Sequence, residues 1–195
     1  MSEHFFAYIS RMRYIARWSL MRNSDQENIQ EHSHMVAVLA HGLAVIRNRR
    51  FGGHVDPGQV ALAALYHDAS EILTGDLPTP IKYYNPAIRD SYKAIESVAQ
   101  DKLLSMLPED LAADFKAPLK GYGGAVEELV KAADKLSAYI KCVEEEKAGN
   151  TEFRAAAEQI RAVLRENPLP EVQYFMEHFL PAFSLTLDEL NESNE

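Results

Sequence analysis

The chain has 195 residues, 47% of them apolar, which is enough to bury a complete hydrophobic core within a single domain. Its 20 basic and 29 acidic residues give a net charge of −9, which disfavours a polynucleotide partner because binding to a phosphate backbone needs a positive surface. The single cysteine, Cys142, excludes an internal disulfide and a thiolate zinc site, so a bound metal would need nitrogen and oxygen ligands. We find neither a signal-peptide pattern nor an apolar run of membrane-spanning length, and we expect a cytoplasmic protein without membrane contact.

The spacing of apolar residues predicts an all-α fold. Apolar side chains recur at intervals of three and four, and no alternating strand pattern is present. In chain order we predict helices over residues 4–21, 28–50, 60–73, 86–107, a short stretch after 108, 124–148, 151–166 and 170–179. We expect residues 1–187 to form one domain and the acidic tail, residues 188–195, to fray in solvent.

Several helix ends carry specific signals. Asn28 followed three residues later by Glu31 has the spacing of a capping box at the start of the second helix. Asp56 with Pro57 is typical of the start of the third helix, and Gly75 of its end.

The end of this third helix, "LYHDASEILTGDLPTP", concentrates ionisable residues. His67 and Asp68 are neighbours, and Glu71 follows within one helical turn. An imidazole beside a carboxylate suits Zn, Mn, Co or Fe, and Mg less well because of the nitrogen. Two ligands are too few for a stable site, so other helices must supply the rest.

His32 and Asp134 are the candidates for the remaining ligands. His32 lies at the start of the second helix, whereas His34 and His41 point to other faces of that helix. Asp134 stands between apolar residues, where an unpaired charge is costly. The alternatives are that His32 is a hydrogen-bonded core residue and that Asp134 forms an ion pair with a neighbouring lysine, Lys131 or Lys135.

The order His32, His67-Asp68, Asp134 resembles the HD-domain superfamily of metal-dependent phosphohydrolases, which are all-helical. The segments "HFFAYISRMRYIARWSLMRN", "ENIQEHSHMVAVLAH", "NRRFGG", "LYHDASEILTGDLPTPIKYYN" and "FMEHFLPAFSLTLDEL" resemble the bacterial 5′-deoxynucleotidase family, the YfbR-like proteins. The resemblance spans nearly the whole chain and implies a single HD-domain helical bundle that acts as a homodimer. It implies hydrolysis of deoxyribonucleoside 5′-monophosphates to deoxyribonucleoside and phosphate.

The resemblance also implies the roles of particular residues. Its metal ligands match His32, His67, Asp68 and Asp134. Its catalytic residues match Glu71 and Arg17. Its substrate contacts match Arg17, Trp18, Asp76, Leu77, Pro78, Thr79 and Pro80, together with three of the metal ligands, His32, Asp68 and Asp134.

We expect one divalent metal ion per subunit. No histidine occurs between His67 and His178, whereas HD enzymes with two metals use additional histidines in this interval. Four protein ligands would close a tetrahedral zinc site, so an ion that accepts five or six ligands, such as Co, Mn or Mg, is favoured over Zn.

The residue types suggest how such an enzyme would work. Glu71 could orient or deprotonate the attacking water, or pass a proton to the departing 5′ oxygen. Arg17 suits bidentate binding of the phosphate, and Trp18 could form a wall beside the sugar or base. We expect Asp76 to accept a hydrogen bond from the 3′-hydroxyl while Trp18 leaves no room for a 2′-hydroxyl. These contacts would explain the discrimination against ribonucleotides and 3′-monophosphates, with little base preference, that the resemblance implies.

Two other functions remain open. One is an HD phosphohydrolase acting on a nucleoside triphosphate, (p)ppGpp or a cyclic nucleotide, which is disfavoured because no further basic cluster or second metal set is evident. The other is a helical binding module in which the histidines are structural. The aromatic segments "VQYFMEHFLPAF" and "IKYYNPAI" exceed the needs of a small monomer, in keeping with the homodimer that the resemblance implies.

Overall fold

The computed structural model describes residues 3–82 and 84–192, without the side chains of Thr79 and Pro80. The described part is all-α, as predicted, and its only β feature is an isolated antiparallel bridge between Ala16 and Asn28. Its α-helices are α1 Phe5–Ile9, α2 Ile29–Arg50, α3 Pro57–Tyr66, α4 Glu71–Thr74, α5 Thr79–Lys82, α6 Pro86–Leu104, α7 Glu109–Lys120, α8 Gly124–Lys147, α9 Arg154–Arg165, α10 Pro170–His178 and α11 Leu187–Glu192. Short 3-10 helices span Ser10–Tyr14, Thr151–Phe153 and Leu180–Ser184. Within these described helices, none has the length and apolar character that crossing a membrane requires.

Helices α2, α3 and α8 form the centre of the molecule. They pack against one another through fully buried side chains such as Leu43, Val60 and Leu136. A second, smaller cluster, which includes Phe5 and Ala69, joins α1 to α6 and α7. Burial of each large aliphatic side chain contributes about 1.5–3 kcal/mol, so these two clusters fix the helices that flank the segment between α3 and α4.

The predicted helix starts are present. The Asn28 side chain accepts hydrogen bonds from the backbone of Gln30 and Glu31, and the Glu31 carboxylate accepts one from Asn28 N, which confirms the capping box. The Asp56 side chain caps α3 in the same way, with Pro57 in the first turn. These caps satisfy backbone N–H groups that have no partner inside a helix.

The prediction of one helix over residues 4–21 is wrong. After α1 and one 3-10 segment the chain becomes extended, and its backbone pairs with residues 27–29: Arg17 N donates to Glu27 O at 2.9 Å and Ile29 N donates to Ile15 O at 3.0 Å. The turn between the two segments is anchored on α8, because Ser24 N donates to the buried Glu145 carboxylate at 2.9 Å. These tertiary bonds replace the helical bonds that local periodicity favours.

The third helix also ends earlier than predicted. It stops at Tyr66, and residues 67–70 form a turn before α4. At this end the Ala64 carbonyl accepts from His67 N at 3.4 Å, and His67 Nδ1 lies 2.7 Å from the same oxygen. Gly75, which has φ +74°, ends α4, so a helix does end at the glycine where the sequence predicts one.

The other predicted helices differ mainly in their ends, whereas α5 and the 3-10 helix Leu180–Ser184 lie where no helix was predicted. Helix α6 stops at Leu104, three residues before the predicted end, and Gly149 follows α8 with φ +84°, as expected for a residue that ends a helix. The tail was expected to fray from residue 188, but Leu187–Glu192 forms a short helix with no buried residues. Residues 193–195 lie outside the described part, and the division into one domain and a tail stays a prediction.

Candidate active site

Three of the predicted metal ligands converge at the junction of α2 and the α3–α4 turn. One donor atom each from His32, His67 and Asp68 lies within 4.8 Å of the other two. Asp68 Oδ2 is 3.1 Å from His67 Nε2 and 3.6 Å from His32 Nε2. His34 and His41 are exposed on α2, away from this group, as their helical positions predict.

Asp134 approaches the group from α8. Its Oδ1 atom lies 3.1 Å from His32 Nε2, although Asp134 is not part of the compact set of three. The alternative pairing with Lys131 is wrong, because that lysine forms an ion pair with Glu127 at 2.6 Å. The Asp134 carboxylate therefore borders this group through His32, and its role as a fourth ligand stays a prediction.

Each of the two histidines is oriented by a contact at its Nδ1 atom. Since the Ala64 carbonyl can only accept, the 2.7 Å contact requires a proton on His67 Nδ1 and directs Nε2 towards Asp68. His32 Nδ1 is paired in the same way with the Ser137 hydroxyl at 3.2 Å. A hydrogen bond at one imidazole nitrogen, with the other nitrogen facing the ion, is usual for metal-binding histidine.

Two observations indicate that these residues fit a divalent cation. His67 Nε2 is a buried polar atom without an assigned hydrogen bond, and it faces the Asp68 carboxylate at 3.1 Å. The donor set of two imidazoles with one or two carboxylates suits first-row transition metals. Within the described residues no second group of this kind is present.

The charges of the group favour ionised carboxylates. Burial raises the pKa of Asp68, but the neighbouring His67 and His32 outweigh this effect and hold the pKa at about 2. Burial lowers the pKa of His67, whereas the Asp68 charge raises it to about 9. The metal-free ring therefore carries an additional proton, and a cation would displace it from Nε2.

Glu71 is the first residue of α4, and its backbone N–H donates to Asp68 O at 2.9 Å. Its side chain is only 4% exposed, Oε2 has no hydrogen-bond partner, and Oε1 is 3.8 Å from Lys82 Nζ. Burial, reinforced by the charges of Asp68 and Asp76, raises the pKa of the Glu71 carboxyl to about 9. Lys82, which sequence reasoning did not identify, also contacts Glu96 at 3.0 Å.

Arg17 reaches the site from the segment before α2, and Trp18 follows it in the chain. Arg17 Nη1 lies 3.4 Å from Asp68 Oδ2, and the ring of Trp18 packs on Phe153 at a centroid distance of 5.3 Å. Both side chains donate to Glu27, which sequence reasoning missed. No sequence signal distinguishes Glu27 from a solvent-exposed residue before a helix cap, because its partners come from a chain reversal that was not predicted.

The loop of residues 75–78, between α4 and α5, brings Asp76 close enough to Arg17 and Asp68 for their charges to act on it. Asp76 is partly buried; burial raises the pKa of its carboxyl, whereas the charge of Arg17 lowers it. Leu77 and Pro78 are also partly buried. The Pro78 carbonyl oxygen accepts from the backbone N–H groups of Ile81 and Lys82 at the start of α5. The side chains of Thr79 and Pro80, two of the predicted substrate contacts, lie outside the described residues.

A cavity of about 340 Å³ opens onto the site between α6, α7 and α8. It borders His67, Asp68 and Asp134. Five of its lining residues are basic: Lys82, Arg89, Lys93, Lys120 and Lys131. The sequence-based statement that no further basic cluster lies near the site is therefore wrong, because these residues are distributed over four separate elements and converge only in the fold.

The fold defines the general class of protein. An HD-domain phosphohydrolase from Listeria innocua is similar over 98% of this chain and 93% of that chain, with a TM-score of 0.81 and 23% identity. A cyanophage S-2L HD phosphohydrolase, solved with dA and one catalytic Zn²⁺ ion, is similar over 90% of this chain and 95% of that chain, with a TM-score of 0.61 and 20% identity. The protein therefore has the fold of the HD-domain phosphohydrolases.

Sequence comparison defines the family. The family model described as 5′-deoxynucleotidase YfbR-like matches residues 4–183. A 5′-deoxynucleotidase of Vibrio vulnificus is 51% identical over 191 residues, covering 97% of this chain and 98% of the relative. A 5′-deoxynucleotidase of Cronobacter sakazakii is 53% identical over 194 residues, covering 98% of both chains. The chain belongs to the YfbR-like 5′-deoxynucleotidase family, as the sequence motifs predicted.

Proposed function

We propose that the protein is a metal-dependent 5′-deoxynucleotidase, which hydrolyses deoxyribonucleoside 5′-monophosphates to deoxyribonucleoside and phosphate. The observation that carries this proposal is the convergence of His32, His67 and Asp68 beside a buried carboxyl and an arginine. Curated relatives at 51–53% identity over nearly the full chain bear the same activity in their names, which supports it.

His32, His67, Asp68 and Asp134 would hold one divalent ion. When bound, such an ion supplies Lewis-acid stabilisation of the phosphoryl oxygens and lowers the pKa of water. The preference for Co, Mn or Mg over Zn rests on the number of protein ligands. The zinc ion in the cyanophage relative makes zinc the necessary comparison in any reconstitution.

Arg17 would bind the phosphate. Its guanidinium is partly buried, with a side chain 12% exposed, and lies next to the ligand group. Burial lowers the pKa of Arg17, but the surrounding carboxylates outweigh this effect and raise it, so the side chain stays charged. In a chain of net charge −9, a local cation of this kind offsets the general repulsion of a dianionic substrate.

Glu71 would donate a proton to the departing 5′ oxygen. A carboxyl whose pKa is raised to about 9 holds its proton at neutral pH, which favours the role of acid over that of base. The ammonium group of Lys82, 3.8 Å away, would stabilise the carboxylate that remains after transfer.

Asp76 and Trp18 would select the sugar. The partly buried Asp76 carboxyl would accept a hydrogen bond from the 3′-hydroxyl, which a 3′-monophosphate lacks. The indole N–H of Trp18 is already bonded to Glu27, so Trp18 would act through the face of its ring, leaving no room for a 2′-hydroxyl. No base-specific contact is part of this proposal, in keeping with little base preference.

We also propose a homodimer and a cytoplasmic location. Part of "VQYFMEHFLPAF" belongs to the core through Val172 and Phe175, but Phe179, Ile81 and Tyr84 are 47%, 46% and 77% exposed. These exposed side chains support a subunit interface. Light scattering on the purified protein tests the dimer, and a mass equal to one chain would contradict it.

The basic cavity supports a second candidate function, hydrolysis of a nucleotide with a longer phosphate chain. Four of its five basic residues are partly neutralised by ion pairs: Lys82 with Glu96, Arg89 with Asp90, Lys120 with Asp101 and Lys131 with Glu127. This partial neutralisation makes the candidate weaker than the monophosphate reading. The products distinguish the two: dAMP would release phosphate, whereas dATP would release pyrophosphate or triphosphate.

The substrate range tests the proposal directly. Phosphate release should be measured from dAMP, dCMP, AMP and 3′-AMP at equal concentrations. Turnover of both deoxyribonucleoside 5′-monophosphates with little reaction on AMP and 3′-AMP is expected. Turnover of AMP equal to that of dAMP would contradict the selection of the sugar, and no turnover of any monophosphate would contradict the proposed activity.

A further inference from the structure

The carboxylate of Glu27 is bonded to two of the residues assigned to the substrate. Its Oε2 atom accepts from Arg17 Nε at 3.0 Å and from Trp18 Nε1 at 3.2 Å. Its Oε1 atom lies 3.9 Å from His32 Nδ1. Glu27 thus links the phosphate-binding arginine, the wall beside the sugar and a metal ligand, without itself being one of the groups that face the substrate.

The backbone around these residues needs a tertiary anchor. Trp18 has φ +54°, and among the described residues it is the only non-glycine residue in the left-handed region. A bulky side chain is strained in this conformation, at a cost of about 1–3 kcal/mol, and persists only where surrounding bonds hold it. The bond to Glu27 and the packing on Phe153 are the contacts that hold the indole.

We infer that Glu27 is a positioning residue that fixes Arg17 and Trp18 in one geometry and thereby sets the preference for a deoxyribose. This inference rests on the proposed function. Both donors use the same carboxylate oxygen, so a single atom holds the guanidinium and the indole next to each other. A second partner of Arg17 is Asp68, at 3.4 Å. Without Glu27, the arginine would turn towards this metal ligand and the indole would leave its place against the sugar.

Two substitutions separate the geometry from the charge. Glu27→Ala removes both hydrogen bonds, so the KM for dAMP should rise about tenfold to a hundredfold and the ratio of activity on dAMP to that on AMP should fall towards one. The kcat should change less than the KM, because Glu71 and the metal ligands keep their own partners. Glu27→Gln keeps an oxygen that can accept both bonds but loses the charge, so it should raise the KM while retaining the preference for dAMP.

The fluorescence of Trp18 gives a readout that does not depend on activity. Trp18 is the only tryptophan in the chain, so its emission reports on this position alone. In metal-free protein without nucleotide, emission should shift to longer wavelength in Glu27→Ala and stay near the wild-type value in Glu27→Gln. Glu27 and Glu144 both line a second cavity of about 420 Å³. The matched control is therefore Glu144→Gln, which also removes a carboxylate charge from this cavity and should change neither emission nor kinetics.

The outcomes distinguish this inference from the proposed function. If wild-type protein fails to hydrolyse any monophosphate while Glu27→Ala shifts the emission, the proposed function fails and the positioning of Trp18 by Glu27 stands. If wild-type protein is selective and Glu27→Ala keeps both the wild-type emission and the wild-type selectivity, the inference is overturned. Loss of selectivity in Glu27→Gln equal to that in Glu27→Ala would overturn the assignment of selectivity to geometry.

Discussion

His67 Nδ1 and the Ala64 carbonyl oxygen, 2.7 Å apart, form a contact at the end of α3 that directs His67 Nε2 at Asp68. The same carbonyl accepts from His67 N at 3.4 Å, so the imidazole is oriented at the point where α3 gives way to the turn of residues 67–70. The adjacent His67 and Asp68, which a continuous helix would separate by about 100°, can therefore face one ion.

Ser137 should contribute to metal affinity through His32. Its hydroxyl is 3.2 Å from His32 Nδ1, and removal of such a partner typically costs about 10–100-fold in affinity. We expect Ser137→Ala to weaken metal binding by this factor in a calorimetric titration. Ser33→Ala is the control, because Ser33 is buried on the same helix as His32 but its hydroxyl has no hydrogen-bond partner. Equal affinities in Ser137→Ala and the wild type would contradict the role of Ser137.

Glu71→Gln should lose turnover while retaining substrate and metal. The amide has the shape of the carboxyl but cannot give up a proton to the 5′ oxygen, and loss of a general acid typically lowers the rate about 10²–10⁴-fold. Steady-state kinetics on dAMP should therefore show this fall in kcat with KM within a few-fold of wild type. Metal content, measured by mass spectrometry, serves as the control. A kcat near the wild-type value would remove Glu71 from the mechanism.

The same carboxyl should make stability depend on pH. The pKa of Glu71 rises from its ordinary value of 4.5 to about 9 because of burial and the nearby carboxylates. Between these values the folded protein keeps a proton that the unfolded chain has released, so the stabilising contribution is complete below the lower value and is lost as the pH rises through the higher one. In chelator-treated protein, the Tm of Glu71→Gln minus the Tm of the wild type should therefore increase by a few degrees as the pH rises from 5 to 9. A Tm difference that is constant with pH, measured by calorimetry, would contradict the raised pKa.

Much of the fold follows from local signals, and much of the site does not. The capping box of Asn28 and Glu31 depends on residues three positions apart, and the sequence therefore predicts the start of α2 correctly. The metal ligands were predicted because their order along the chain resembles a known family, and the structure brings three of them together. Spacing alone would have left His32 and Asp134 ambiguous.

The misplaced helix over residues 4–21 has a different origin. Its periodicity favours a helix, but Glu145 accepts the backbone N–H groups of Ser24 and Asp25, more than a hundred positions away in the chain. That anchor reverses the chain and brings Glu27 to Arg17 and Trp18. The basic cavity was missed for the same reason, because long-range contacts assemble both features and neither leaves a local pattern.

The buried pair of Lys141 and Glu145 should be important for stability. Their side chains are 8% and 1% exposed, and removal of one partner from a buried pair typically costs about 3–5 kcal/mol because the other charge stays unpaired. We expect Glu145→Gln to lower the free energy of unfolding in urea by an amount in this range. Glu127→Gln is the control: it breaks the exposed pair with Lys131, which is worth about 1 kcal/mol or less. Similar losses in the two variants would contradict the structural role of Glu145.

Asp76→Ala should affect nucleotides more than simple phosphate esters. If Asp76 accepts a hydrogen bond from the 3′-hydroxyl, the variant should raise the KM for dAMP about tenfold or more, since hydrogen bonds to charged groups are worth about 1.5–3 kcal/mol. The KM for para-nitrophenyl phosphate, which has no sugar, should stay near the wild-type value. Equal losses on the two substrates would instead place Asp76 in the phosphate or metal chemistry.

The central claim is that one divalent ion held by His32, His67 and Asp68 is required for hydrolysis of deoxyribonucleoside 5′-monophosphates. The measurement that tests it most directly is phosphate release from dAMP by chelator-stripped protein after addition of Co, Mn, Mg or Zn, beside an Asp68→Asn variant treated identically. We predict no activity in the stripped protein, recovery with at least one of these metals at about one ion per subunit, and no recovery in the variant. Full activity in the stripped protein, or equal recovery in Asp68→Asn, would contradict it.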